Sequence, residues 1–319
     1  MGSSKSALDK DFDLLVIGET LVEFSCDGDV VGDEAFKKDV GGADIVVAAS
    51  AARLGSRVQL ISAVAQDPFH YFVRQRLAAQ NIDISFLNTC EGYNGLYFTS
   101  SNRQESREYL IHHPGTASRH ISPAFVKDDL VGNAKIVYAS SELQSVSRQT
   151  RYAISKAFNF AQQNNTMVAY DPNLRLMRWS LDEARECLWS VLPLLDVIFL
   201  SAPEESKALF GYEHAFEVIG FLRDRNVNMA VVVKMGTGGC MVGYDGKIKH
   251  IPLPSTDGLK DFTSPILVGS AFNGAFLYWM AREDKDDPFE AAEFANEVAL
   301  FKGIKGAGID SLPTVNDMA

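Results

Sequence analysis

The segment Ser264-Pro265-Ile266-Leu267-Val268-Gly269-Ser270 runs into Ala271, Phe272, Ala275 and Phe276. The i, i+1, i+4, i+5 spacing of those four places one apolar face on a helix. Gly269-Ser270 stands where an N-cap belongs, so the helix is expected to begin at or just after Gly269. A helix start offers unpaired N–H groups and the positive end of a dipole, and so can hold an anion. The plainer alternative is a capped core helix. A second stretch, Ala230 to Lys234, is a β-branched run followed by Met235-Gly236-Thr237-Gly238-Gly239. A glycine loop after a strand can approach a nucleotide, although a hairpin turn explains it equally well. No Gly-Lys-Ser/Thr closes it, so it is not a P-loop.

A third stretch, Thr166 to Tyr170, ends in Asp171-Pro172-Asn173-Leu174-Arg175. Open α/β sheets bind ligands at the carboxyl ends of their strands. Arg175 can clamp a carboxylate or phosphate with two parallel hydrogen bonds, or can pair with Asp171 to fix the loop. Gly41-Gly42-Ala43 opens a helix that reaches Arg53-Leu54-Gly55. Two glycines admit backbone close to a ligand, and they also serve tight helix–sheet packing. Glu204 follows Pro203 at another helix start, where a negative charge stabilises the helix whatever else it does. His112-His113 does not read as a metal site. Adjacent residues on a strand face opposite ways, and no second ligand cluster accompanies them.

These stretches need a scaffold. Asp13 to Ile17, Val58 to Val64, Lys135 to Ser140 and Val197 to Leu200 are short, mostly apolar runs. Such runs suit strands buried on both faces. Helical stretches such as Arg148 to Gln163 alternate with them. The alternation from residue 13 to residue 314 has no linker-like break. The expected fold is α/β, a doubly wound, mostly parallel sheet, in one domain over 1–319. Asn94-Gly95 is a strong turn pair ahead of Leu96-Tyr97-Phe98 and Arg107 to Ile111, read as paired strands.

The composition, 46% hydrophobic and 22% charged, suits a globular core. A net charge of -11 argues against nucleic acid or an anionic membrane as partner. Cys26, Cys90, Cys187 and Cys240 are far apart and suggest neither a disulfide framework nor a metal pair. The polar first ten residues are no signal peptide, and no apolar run reaches membrane-spanning length. A cytoplasmic protein is expected.

The quoted segments resemble the PfkB, ribokinase-like carbohydrate kinases. Ala271-Phe272-Asn273-Gly274-Ala275-Phe276 matches the second half of that family's C-terminal signature, and Gly41-Gly42-Ala43 with Ala52-Arg53-Leu54-Gly55 matches its first. Lys234-x-Gly236-x-x-Gly239 matches its nucleotide loop, and Asp171-Pro-Asn-Leu-Arg175 followed by Trp179 resembles the fructokinase and 2-keto-3-deoxygluconate kinase branches. The resemblance implies transfer of the ATP γ-phosphoryl group, with Mg²⁺, to a small sugar or keto sugar acid. It implies substrate contacts from Gly41, Gly42, Tyr97, His113 and Arg175. Nucleotide contacts would come from Lys234, Gly236, Gly239, Ser201 and Asn296, and a water-mediated metal contact from Glu204. It also implies a ribokinase-like fold with a small β lid from about 19–40 and 94–112, and a possible homodimer through that lid.

Four positions depart from the family pattern. Ser270 stands where the family has its catalytic Asp, next to Gly269, and Leu267 stands for a glycine of the anion-binding turn. Val46 replaces a sugar-binding Asn, and Ser201 replaces the Asn of an Asn-x-x-Glu motif. The expectation is a kinase-like protein of weak or absent activity. The alternative is an inactive sugar- or nucleotide-binding regulatory or scaffold protein.

Overall fold

The computed structural model describes residues 10–100, 107–112, 115–254, 260, 262–282 and 287–318. The strands, in chain order, are β1 (Phe12–Ile17), β2 (Leu21–Cys26), β3 (Lys37–Gly41), β4 (Val58–Ala65), β5 (Ile82–Asp83), β6 (Leu87–Cys90) and β7 (Gly95–Ser100). They continue with β8 (Arg107–His112), β9 (Ala134–Ser140), β10 (Met167–Asp171), β11 (Val197–Ser201), β12 (Ala230–Lys234), β13 (Cys240–Tyr244) and β14 (Lys247–Ile251). The helices are α1 (Ala43–Arg53), α2 (His70–Ala78), α3 (Asp128–Gly132), α4 (Ser141–Gln144) and α5 (Arg148–Gln163). After them come α6 (Leu181–Val191), α7 (Glu204–Phe210), α8 (Ala215–Arg223), α9 (Val268–Met280) and α10 (Pro288–Lys305).

The main sheet has the order β14-β13-β12-β11-β10-β9-β1-β4-β5, with β6 also pairing β4. Pairing is parallel from β12 to β5 and antiparallel only at β12–β13 and β13–β14. Helices on both faces bury both sides of the parallel strands. Leu14 and Val16 face one apolar core, which includes α1, α9 and α10, whereas Leu15 and Ile17 face the other, with α5 and α8. The architecture is therefore the expected α/β fold, a doubly wound, mostly parallel sheet. Its register lines up the carboxyl edge: Asp171 lies opposite Ser140, and Ser201 opposite Lys234.

A second sheet, ordered β3-β2-β7-β8, leaves the main sheet just after β1. One of its faces carries Phe24 stacked on Phe98, with centroids 5.4 Å apart, and Lys38 sits 4.2 Å from the ring of Phe72.

Helix α9 begins one residue earlier than Gly269, at Val268. Its cap is Leu267, held in the left-handed conformation with φ 58° and ψ 15°. Leucine there costs about 1–2 kcal/mol because its Cβ crowds the carbonyl. Ser270 is the third residue of the helix, not its cap. Once begun, α9 lies tightly on α1. A Cβ on Gly274 would sit 2.4 Å from the Val47 carbonyl oxygen, and Ser50 Oγ donates to the Ala271 carbonyl at 2.9 Å. Among the described residues, no helix is long and apolar enough to cross a membrane.

Candidate active site

The carboxyl edge carries two adjoining regions of opposite character. The first is a cleft of about 590 Å³ between the start of α9, the β12–β13 loop and the start of α7. It gathers Ser201, Glu204, Lys234, Gly236, Gly239, Gly269 and Asn296. The loop needs its glycines. Gly236 and Gly239 have φ of 57° and 79°, and a Cβ on Gly239 would lie 2.3 Å from the Ile251 carbonyl oxygen.

Lys234 leaves the end of β12 and reaches beneath α9. Its Nζ lies 2.9 Å from Asp171 Oδ2 and 3.2 Å from Asn273 Oδ1, and a Cβ built on Gly269 would be 3.5 Å from it. Asn273 Nδ2 completes the triangle by donating to the same Asp171 oxygen at 2.6 Å. A cation is thus fixed one helical turn below the N–H groups that open α9. Ser270 borders this point, almost buried, and among the described residues its hydroxyl makes no hydrogen bond.

Some cleft residues do other work than the sequence suggests. Asn296 is buried, and its amide nitrogen donates to the carbonyls of Ile251 (3.1 Å) and Pro252 (3.2 Å), tying α10 to the end of β14. Glu204 is exposed on the rim. Its neighbour Glu205 is the structural carboxylate, accepting from Leu174 N at 2.7 Å and Ser201 N at 2.9 Å. Burial first and Asp171 second push the Glu205 carboxyl up to about 7, against the pull of Lys234 and the two N–H groups. Glu205 therefore joins the 171–178 loop to the 201–205 turn. Its neighbour Glu204, which the resemblance to an Asn-x-x-Glu motif singles out, makes none of these bonds.

The second region adjoins the Gly41-Gly42 turn. Arg178, only 7% exposed, lies between Glu19 (2.9 Å) and Glu142 (2.8 Å), and also donates to the Glu142 carbonyl at 3.3 Å. Asn173 Nδ2 donates to the other Glu142 oxygen at 2.8 Å. Asp44, in the first turn of α1, accepts from Glu19 N at 3.3 Å. Burial pushes its carboxyl up to about 8, helped by the charges of Glu142 and Glu19 and opposed by the Ser140 hydroxyl and the Glu19 N–H. Gly18 makes room for it, since a Cβ there would fall 2.3 Å from Asp44 Cβ. Tyr138 spans the two regions. Burial pushes its hydroxyl well above the ordinary phenol range, with Asp171 and Asp44 adding to the rise and Asn273 opposing it.

Arg178 and its two carboxylates carry no motif. They are 159 and 36 residues apart in sequence, so nothing local marks them as partners. Arg175 lies half-buried on the same loop, while Asp171 takes Lys234 as its cation and receives Asn173 N at 2.8 Å. The proposed substrate role of Tyr97 needs correction. Tyr97 is fully buried, with its hydroxyl where a Gly41 Cβ would be (1.9 Å) and within 3.4 Å of Gly42 N. It backs the glycine turn instead of facing a ligand. Gly42 caps α1 with φ 104°. Val46 is buried in the core shared with α9. His113 lies outside the described residues.

No group of three His, Cys, Asp or Glu side chains among the described residues is arranged to hold a metal. Magnesium in a phosphate site is held mainly by phosphate oxygens and waters with one or two carboxylates. A lone carboxylate, Glu204, on the rim of a cleft with Lys234 at its base fits that donor set.

The sequence profile described as pfkB family carbohydrate kinase matches residues 11–314. The chain is 26% identical to a 5-dehydro-2-deoxygluconokinase of Clostridium tetani, over 97% of this chain and 92% of that one. It is 29% identical to a probable fructokinase-6, chloroplastic, of Arabidopsis thaliana, over 94% and 80% respectively. Its fold superimposes on a putative ribokinase II from E. coli, solved with ATP and Mg²⁺, with a TM-score of 0.84. That match has 20% identity and covers 96% of this chain and 97% of the other.

Proposed function

The chain belongs to the pfkB family of carbohydrate kinases, and from that premise we propose that it binds Mg-ATP and a small sugar but transfers phosphate slowly. The observation that carries the reading is Ser270: at the start of α9, where the family places its catalytic Asp, stands a serine whose hydroxyl makes no hydrogen bond among the described residues. The Lys234 ammonium and the opening N–H groups of α9 put positive charge where phosphoryl oxygens would gather. Asp171 and Asn273 hold that ammonium in place. Magnesium, when bound, neutralises charge on the β- and γ-phosphate oxygens. The acceptor hydroxyl would sit between the Gly41-Gly42 turn and Gly269 and would lose its proton without help. Absence of a general base costs about 10²–10⁴ in rate, or roughly 3–5 kcal/mol of barrier.

The test is a panel of sugars and sugar acids with Mg-ATP, scored by ADP release against a no-sugar control. Turnover at least about a hundredfold below an ordinary kinase of the family is expected. Ordinary turnover on any sugar would overturn the slow reading. Nucleotide binding by calorimetry with no turnover would favour the regulatory alternative. We further propose a cytoplasmic homodimer closed through the β2–β3–β7–β8 sheet, whose aromatic face needs cover. Light scattering of a monomer at micromolar concentration would refute the dimer.

A further inference from the structure

The arrangement around Arg178 bears on which acceptor the site can take, and this inference rests on the kinase reading above. Glu19, Asp44 and Glu142 converge at the carboxyl ends of β1 and β9 and the start of α1, all nearly buried. The guanidinium among them is Arg178, with ion pairs to both Glu19 and Glu142. Asn173 adds a further bond to Glu142, so the triad is fixed from the loop side as well. The positive end of the site lies elsewhere, at Lys234 and the start of α9. The carboxyl edge is thus uneven in charge: at Lys234 one ammonium meets one carboxylate beside the N–H groups that open α9, whereas beside the Gly41-Gly42 turn one guanidinium meets two carboxylates. A negative charge brought to that end meets the carboxylates that pair with Arg178 at low dielectric, where charges several ångströms apart still interact strongly.

We propose that Arg178, locked between Glu19 and Glu142, sets the acceptor class: this chain takes an uncharged polyhydroxy acceptor of the ketose type and rejects sugar acids. Arg178 is a specificity-determining residue by being engaged. A guanidinium already paired twice is not available to an acceptor carboxylate, and the carboxylates that hold it repel one. Hydroxyl groups, by contrast, can donate to carboxylate oxygens without a charge penalty.

Calorimetry on the full chain, saturated with magnesium and a non-hydrolysable ATP analogue, decides the matter without relying on turnover. D-fructose and 2-keto-3-deoxygluconate are titrated separately at pH 7. Fructose is expected to bind about tenfold tighter or more. In a Glu19→Gln/Glu142→Gln variant, which keeps side-chain size and frees Arg178, the ratio should collapse or reverse. Equal or tighter binding of the acid by the unmodified chain, for instance through capture of its carboxylate by Arg175, overturns the proposal whether or not the variant folds. Binding of the nucleotide analogue with neither acceptor overturns the acceptor site and leaves the nucleotide cleft standing. Failure of the nucleotide analogue as well would overturn the kinase reading itself.

Discussion

The cleft under α9 and the Arg178 region lie side by side and are held in different ways. In the cleft the backbone has held its course. Leu267 keeps the left-handed turn that a glycine would adopt freely, and Gly236 and Gly239 keep theirs. In the Arg178 region the side chains hold one another, with Arg178, Glu19, Glu142 and Asn173 forming a connected network. Backbone geometry is set by neighbouring elements and survives an unfavourable residue at a modest strain. A side-chain network is set by its members and changes with each one. Nucleotide binding should therefore be the more robust property, and acceptor choice the more individual one.

The largest effect expected is at Lys234. Lys234→Met removes the cation from the cleft and leaves Asp171 buried without it. Breaking such a pair costs about 3–5 kcal/mol, so chemical denaturation should show a large loss of stability and calorimetry a loss of Mg-nucleotide affinity. Retention of both would mean that the cleft does not depend on its cation.

Ser270→Asp comes next and tests whether the missing base is the main deficit. Because the turn at Leu267 already has the required conformation, the single substitution should raise turnover toward a hundredfold, the lower end of what a general base contributes. A rise of less than tenfold would bring Val46 and the acceptor region back as the limiting fault.

Asp44→Asn separates the two regions by pH. The carboxyl stands near 8 in the fold against an ordinary 3.8, so between those values the native state carries a proton that the unfolded chain has lost. Stability contributed by protonated Asp44 is therefore complete below about pH 4 and is lost as pH rises toward 8. The slope is at most about 1.4 kcal/mol per pH unit. Melting curves at pH 6 and pH 7 should show this decline in the unmodified chain and less of it in the variant. Equal slopes would mean that Asp44 ionises normally.

Leu267→Gly should do least. Relief of strain is offset by the greater freedom of glycine in the unfolded chain and by lost packing, so stability should move by less than about 1 kcal/mol. Nucleotide affinity should stay within about threefold. A tenfold gain in affinity would show that the leucine side chain obstructs the cleft.

The sheet was legible because its strands are buried on both faces. Runs such as Val231-Val232-Val233 and Ile198-Phe199-Leu200 announce themselves without help from their neighbours. The start of α9 was legible to within a residue, but its cap was not, since no local preference puts leucine in a left-handed turn. Tyr97 and Asn296 were legible as residues of the site region and not as what they are. One backs a glycine turn and the other ties the end of a strand to a helix. Those roles depend on contacts across 55 and 45 residues. Arg178 and Glu205 gave no local signal, because their importance comes from partners that the fold alone delivers.

The close crossing of α1 and α9 at Gly274 has a metrical consequence. One helix carries the glycine pair at its head, and the other carries the left-handed Leu267 turn at its own. The missing methyl group at Gly274 is what allows the two to touch backbone to backbone. The crossing therefore works as a gauge block: its thickness fixes the span between the two ends of any molecule that bridges the heads of the helices. A side chain added at Gly274 would lengthen that span while leaving the chemistry at either end untouched.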